Sequence, residues 1–182
     1  GNHGNICVFS LQAIKQLTTG DGGIIILPNE SLYTRAKLLR WFGINRDKRN
    51  YKSKDFRLEN DITEYGYKFH MNDINATLGI HNLKHIDRLN ARARDNANYY
   101  NTHLNNVPGL SLLTVPPQAT PVYWLYTIFI ESTSATGATD DSRKLAFMRF
   151  MQDAKVMTSQ VHNRNDINSC VAQYKEPLPN LD

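Results

Sequence analysis

A single lysine, Lys15, stands in the otherwise uncharged stretch from Phe9 to Gly20, with apolar runs on either side. An ammonium next to buried strands pays for lost hydration unless it is paired or neutralised. A lysine desolvated in this way can act as an amine nucleophile and form a Schiff base with a carbonyl. Ser10, Thr18 and Thr19 bring hydroxyls to the same stretch, and Gly20-Asp21-Gly22-Gly23 brings a pliant backbone. Hydroxyls and open backbone N–H groups of this kind can accept a phosphate. Taken by itself, the stretch also reads as a surface lysine in a Gly/Thr-rich turn, because a short glycine run is a weak signal.

A second constellation is Ser159-Gln160-Val161-His162-Asn163-Arg164-Asn165-Asp166, dense in hydrogen-bonding groups. Arg164 can pair with a phosphate or a carboxylate, and His162 stands beside it as a candidate substrate contact. The alternative is an Asn/Asp-rich turn carrying a surface arginine. His162 has no companion at metal-ligand spacing. His81 and His85 are four apart but lack the carboxylate that a zinc helix needs, so they read as surface or interface residues. Cys7 and Cys170 form no ligand pair. No metal site is expected, and Cys7 reads as a small buried hydrophobe.

The elements that must position these residues follow from the patterning. Ile6–Phe9 and Gly22–Leu27 are short apolar runs that predict strands covered on both faces. Asn29 is placed to cap a helix whose apolar stripe is Leu32, Ala36, Leu39 and Trp41 or Phe42, with Gly43 as its stop. Residues 44–60 lack periodicity and read as a loop. Asn72-Asp73 then opens the longest predicted helix, from about 73 to 105, on the order of 50 Å long. It is stopped by Asn106-Val107-Pro108-Gly109. Strands are predicted over 110–115, 122–130 and 156–161. A loop of small residues is expected at 133–139, and a helix capped by Asp140 or Asp141 runs through Met151.

Composition bounds the function class. The 182 residues are 41% hydrophobic and 21% charged, ordinary for a soluble globular protein. The formal charge of +4 is mild, and its basic residues cluster only between positions 46 and 57. That cluster reads as a solvated loop face. No aromatic interleaving or recognisable module accompanies it, so nucleic acid is not an expected partner. No apolar stretch approaches the roughly 20 residues needed to cross a bilayer, and the start is polar and glycine-rich. A cytoplasmic protein with no membrane partner is expected.

Three stretches together resemble one family. Phe9-Ser10-Leu11-Gln12-Ala13-Ile14-Lys15-Gln16-Leu17 followed by Thr18-Thr19-Gly20-Asp21-Gly22-Gly23 is similar to the lysine segment FSF-x3-K-x2-TTGEGG of the DegT/DnrJ/StrS sugar aminotransferases. Leu38-Leu39-Arg40 with Gly43-Ile44-Asn45-Arg46-Asp47 resembles the family's LRNHGIDRD. The run from Gly66-Tyr67-Lys68-Phe69-His70-Met71 to Leu78-Gly79 resembles its GYNYRMTDIQAALG box, followed by Leu83-Lys84-His85-Ile86-Asp87 for QLKRLD. The order and spacing match across most of residues 1–105.

The resemblance implies a fold-type-I pyridoxal-phosphate enzyme, α/β, in which the end of a large mixed-sheet domain is followed by a small α+β domain. Residues 1–70 would close the large domain, 71–108 form a bridging helix and 109–182 make the small domain. The implied reaction is amino transfer to a nucleotide-linked keto sugar, with glutamate the usual donor. Lys15 would be the Schiff-base lysine and proton carrier, and Ser10 the hydroxyl on the cofactor phosphate. The box around Lys68 is, in the family, offered by a neighbouring subunit to that phosphate, which implies a homodimer. Here Lys68 replaces the family's asparagine and His70 its arginine, and Lys68 also reads as a solvated interface residue. Related sugar dehydratases carry histidine where these enzymes carry lysine, so Lys15 favours transamination. The 159–166 segment resembles a small-domain loop that reaches the substrate.

Two groups such an enzyme needs, an aspartate for the pyridine nitrogen and a glycine-rich phosphate turn, lie upstream of the lysine in the family. Only 14 residues precede Lys15, so this chain is expected to be a fragment of the enzyme. The competing reading is a non-catalytic remnant or interaction module of the same fold that binds no cofactor.

Overall fold

The computed structural model describes residues 4–48, 61–131, 141–162 and 165–177. The chain falls into two compact units, Gly1–Asp95 with Val122–Trp124, and Asn96–Pro121 with Leu125–Asp182.

The first unit is built on a two-stranded antiparallel ladder, β1 (Cys7–Ser10) against β2 (Gly23–Ile26), with Cys7 opposite Ile26 and Ser10 opposite Gly23. The strands form where the apolar runs predict them. Their faces are open, however: Val8 is 74% exposed and Ile25, opposite it, 52%. The cover expected on both faces is not supplied by the described residues, which pair only two strands here. Cys7 is half-buried rather than buried, for the same reason.

Helix α1 (Glu30–Leu39) begins where expected, with the Asn29 side chain accepting the Leu32 N–H at 3.0 Å. It ends before Trp41 and Phe42. Phe42 (φ 57°) and Gly43 (φ 78°) turn the chain back, and the Gly43 N–H returns to the Leu38 carbonyl at 3.0 Å. Residues 67–69 then run against this end. Tyr67 N–H donates to Leu39 O at 2.7 Å, Phe42 N–H to Tyr67 O at 3.0 Å and Phe69 N–H to Arg40 O at 2.9 Å.

The single long helix expected from 73 to 105 is two helices, α2 (Asp73–Leu83) and α3 (Ile86–Leu104). Asn72 caps α2 as predicted, accepting the Asn75 N–H at 2.9 Å. At the break, His85 N–H bonds Asn82 O at 2.9 Å, a tight turn in place of the α-helical step, and the ladder resumes with Leu89 N–H to His85 O. Apolar spacing continues through the junction, which is why periodicity alone reads it as one rod.

In the second unit β3 (Leu110–Leu112) pairs antiparallel with β4 (Ile128–Ile130). Both are shorter than predicted: Pro116 and Pro117 follow the first, and Tyr123 at φ 45° interrupts the run before the second. Helix α4 spans Asp141–Asp153. The strand expected over 156–161 does not form. Lys155 takes φ 59°, and the Val156 N–H turns back to Met151 O at 2.9 Å, so the helix close spends a donor that a ladder would need. Short 3-10 turns at Asn165–Ile167 and Ser169–Tyr174 complete the unit. Tyr100 packs on Tyr126 with centroids 4.9 Å apart, and Tyr126 Oη donates to Asn101 Oδ1 at 2.7 Å. The predicted loop at 133–139, positions 49–57 of the basic cluster and Arg164 lie outside the described residues.

Candidate functional site around Lys15

Lys15 sits on the loop that joins β1 to β2, and the loop is ordered by its own polar groups. Leu11 N–H donates to Gly22 O and Thr19 N–H to Leu11 O, both at 2.9 Å, closing the base. The Thr19 hydroxyl donates to Asp21 O at 2.6 Å and the Gly20 N–H to Thr18 Oγ1 at 2.9 Å. Gly20 (φ 83°) and Gly22 (φ 129°) occupy backbone regions that other residues enter at a cost. At the tip, Lys15 N–H bonds Gln12 O at 2.9 Å and Ile14 N–H bonds Gln12 Oε1 at 3.1 Å. The glycines and threonines that marked the motif are thus the residues that shape the turn.

Helix α2 holds this loop from outside. Asn75 Nδ2 donates to Asp21 O at 3.1 Å and Asn82 Nδ2 to Thr18 O at 2.9 Å. Between them Gly79 brings the helix so near that a Cβ there would lie 2.7 Å from Thr19 Cγ2. Thr19 is 2% exposed, the most deeply buried polar side chain described. Two of the matched stretches, the lysine segment and the box ending at Gly79, therefore meet in space.

The Lys15 ammonium lies over the indole of Trp124, with Nζ 3.0 Å from the ring centroid. It makes no ion pair with a described residue. Lys15 and Trp124 line an open cleft of about 500 Å³, with Ile14, Asn82, His85 and Arg88 among its other walls. Lys15 and Arg88 bring positive charge to the cleft, and none of the lining residues is acidic. An amine free of any carboxylate, in a cleft lined by cations and amide side chains, suits a carbonyl-bearing, phosphorylated cofactor. The residues present fit such a group.

The other predicted site residues are not gathered here. Ser10 ends β1, exposed, its hydroxyl oxygen accepting the Gln12 N–H at 3.4 Å. Lys68 is exposed on the segment that bridges to Trp41 at the end of α1. His162 is exposed in the second unit. Neither Ser10 nor Lys68 lines the Lys15 cleft. Among the described residues there is no group of three or more potential metal ligands. Trp124, Asn82 and Arg88 were missed by motif reasoning. The three- and four-residue spacing of Asn82, His85 and Leu89, which reads in the sequence as one face of a single helix, was the available signal for Asn82; for Arg88 and Trp124 there was none, and the Lys15 partner of Trp124 lies over a hundred residues away.

A second ionic cluster braces α1. Arg35 donates to both oxygens of Glu64, at 3.0 and 2.6 Å. That hydrogen bonding holds the Glu64 carboxyl below, and the Arg35 guanidinium above, their ordinary ranges. Lys37 pairs with Asp47 nearby.

Comparison with known proteins agrees with the motif matches. A sequence model of the DegT/DnrJ/EryC1/StrS aminotransferase family matches residues 1–178. The chain is similar to the sugar aminotransferase CalS13 of Micromonospora echinospora, with a TM-score of 0.84 at 37% identity over 99% of this chain and 44% of that one. AtS13 of Actinomadura melliaura gives a TM-score of 0.82 at 40% identity with the same coverage. The UDP-4-amino-4,6-dideoxy-N-acetyl-beta-L-altrosamine transaminase of Campylobacter jejuni is 30% identical over 130 residues, 71% of this chain and 32% of that protein. The chain spans about a third of the length of the curated relatives it matches.

Proposed function

The chain belongs to the DegT/DnrJ/EryC1/StrS aminotransferase family, and from that membership we propose that it is the lysine-bearing part of an enzyme that aminates a nucleotide-linked keto sugar using pyridoxal 5'-phosphate. The observation that carries the reading is Lys15, presented from an ordered turn into a cleft with no carboxylate to neutralise it. The names of the relatives, a sugar aminotransferase and a nucleotide-sugar transaminase, support the substrate class.

In this reading Lys15 Nζ holds the cofactor, and once released takes and returns a proton at the carbon where the amino group is exchanged. Bound there, the cofactor supplies the electron sink that lets an amino group leave one carbon skeleton and join another. The Ser10 hydroxyl, five residues before Lys15, is the proposed phosphate contact on the same strand-turn unit. Lys68 is proposed to reach that phosphate from a neighbouring subunit of a homodimer, as a point charge rather than a fork. His162 and Arg164 are proposed for the sugar nucleotide or for the donor, for which glutamate is the proposed source of the amino group. The open faces of β1 and β2 support the further proposal that these 182 residues contribute only part of the site. They equally support the competing reading, a module of the same fold without cofactor.

A labelling experiment separates the two. The chain, and any longer product that includes it, is mixed with pyridoxal phosphate, reduced with borohydride and mapped by peptide mass. The expected result is a stable label on Lys15 that Lys15→Arg abolishes. Label scattered over surface lysines in every product would sink the cofactor assignment and leave the module reading.

A further inference from the structure

We propose that Trp124 is a positioning residue for Lys15, an aromatic platform that holds the ammonium at one fixed place in the cleft. This rests on the reading of Lys15 given above and adds to it a residue from a remote part of the chain.

Three successive residues of the turn are each tied to the segment Val122–Trp124. The indole Nε1–H of Trp124 donates to Ile14 O at 2.9 Å, 110 residues away in sequence. The Lys15 ammonium lies over the same ring, 3.0 Å from its centroid. The Gln16 side-chain amide donates to Val122 O at 3.1 Å, across 106 residues. A cation over an indole face is attracted by the ring's quadrupole, and tryptophan is the best of the three aromatic residues at this. The two flanking hydrogen bonds fix the ring's angle to the turn, so the attraction has a direction and does not merely fill space. Tyr123 between them takes φ 45°, a region non-glycine residues seldom enter.

The arrangement solves a problem set by the chemistry. A flexible four-carbon side chain that must bind and release the same carbon repeatedly needs a station to occupy when released, or it swings among rotamers and solvent. A neighbouring carboxylate would provide one but would also trap the ammonium. The ring attracts the ammonium more weakly than a carboxylate would, so it holds the side chain in place without tying it into an ion pair.

The test uses the chain as it stands and needs no cofactor, so its failure is separable from failure of the cofactor reading. Lysines are acetylated with limiting reagent and the ratio of Lys15 to Lys84 modification is read by peptide mass; Lys84 caps α2, exposed and outside the cleft. Trp124→Ala is expected to raise that ratio by about two- to five-fold, the range a surface cation–π contact spans, and Trp124→Phe to restore most of the protection. An unchanged ratio in Trp124→Ala overturns the proposal. Should that variant lose its fold, the native chain supplies the second measurement. After reductive 13C-methylation, the Lys15 resonance, assigned by its loss in Lys15→Arg, is expected upfield of all other lysines because of the ring current. A Lys15 resonance within the envelope of the exposed lysines also overturns it.

Discussion

At the scale of single residues, chemistry type was legible and pairing was not. Lys15 was marked by being the one charge in an uncharged stretch, and that solitude persists in the fold, where it meets a ring and no carboxylate. Nothing in the order of residues indicated the ring, because a contact between positions 15 and 124 depends on how the chain returns. The same holds for Arg35 and Glu64, 29 residues apart. Glu64 is held below the ordinary carboxylate range by its hydrogen bonds from Arg35, so the folded chain binds its proton less readily than the unfolded chain does. Its contribution to stability is therefore full above the ordinary carboxylate range and is lost as pH falls through the depressed value. Urea midpoints of the native chain and Glu64→Gln should differ at neutral pH and converge at the acid end. Both side chains are exposed, so the difference should be small and should shrink in high salt.

At the scale of elements, starts were read better than ends. Asn29 and Asn72 cap α1 and α2 as predicted, since capping is a local bond between a side chain and an N–H three residues on. The break between α2 and α3, and the irregular run after α4, escaped prediction. There the backbone chose a turn bond that apolar spacing does not encode. Gly79 shows the same division: the motif marked it, but only the packing of α2 on Thr19 explains why it is glycine. Gly79→Ala would place a methyl 2.7 Å from Thr19 Cγ2, a buried side chain with little room to yield. Overpacking of this kind costs about 1–3 kcal/mol, against a helix-propensity gain of about 1 kcal/mol. A net loss of up to about 2 kcal/mol is expected in denaturant unfolding. Adding Thr19→Ser, which removes Cγ2 and keeps the hydroxyl bonded to Asp21 O, should recover most of it; no recovery would mean that the clash is not with Thr19.

At the scale of the whole molecule, the described residues bury little apolar surface. Leu11 and Ala97 are the buried hydrophobic side chains among them, while Val8, Phe9, Ile24 and Ile25 on the ladder stand largely open. An exposed apolar ladder with unpaired edges is a template for association. Sedimentation velocity should therefore show concentration-dependent assembly of this chain. The pair Val8→Lys and Ile25→Lys, facing each other across the ladder, should reduce it; assembly unaffected by both would assign the association to another surface. No helix among the described residues is long and apolar enough to cross a membrane.

The amino-acid sequence by itself determined the family, the lysine, the caps and the glycines of the turn, because each is a local pattern of a few neighbouring residues. The tertiary structure decided what surrounds the lysine. It brought Trp124, Asn82, His85 and Arg88 to one cleft, set α2 against the turn through Gly79, and left the β1–β2 ladder open. Those outcomes depend on contacts between residues remote in sequence, whose geometry follows from how the chain packs and not from any local spacing.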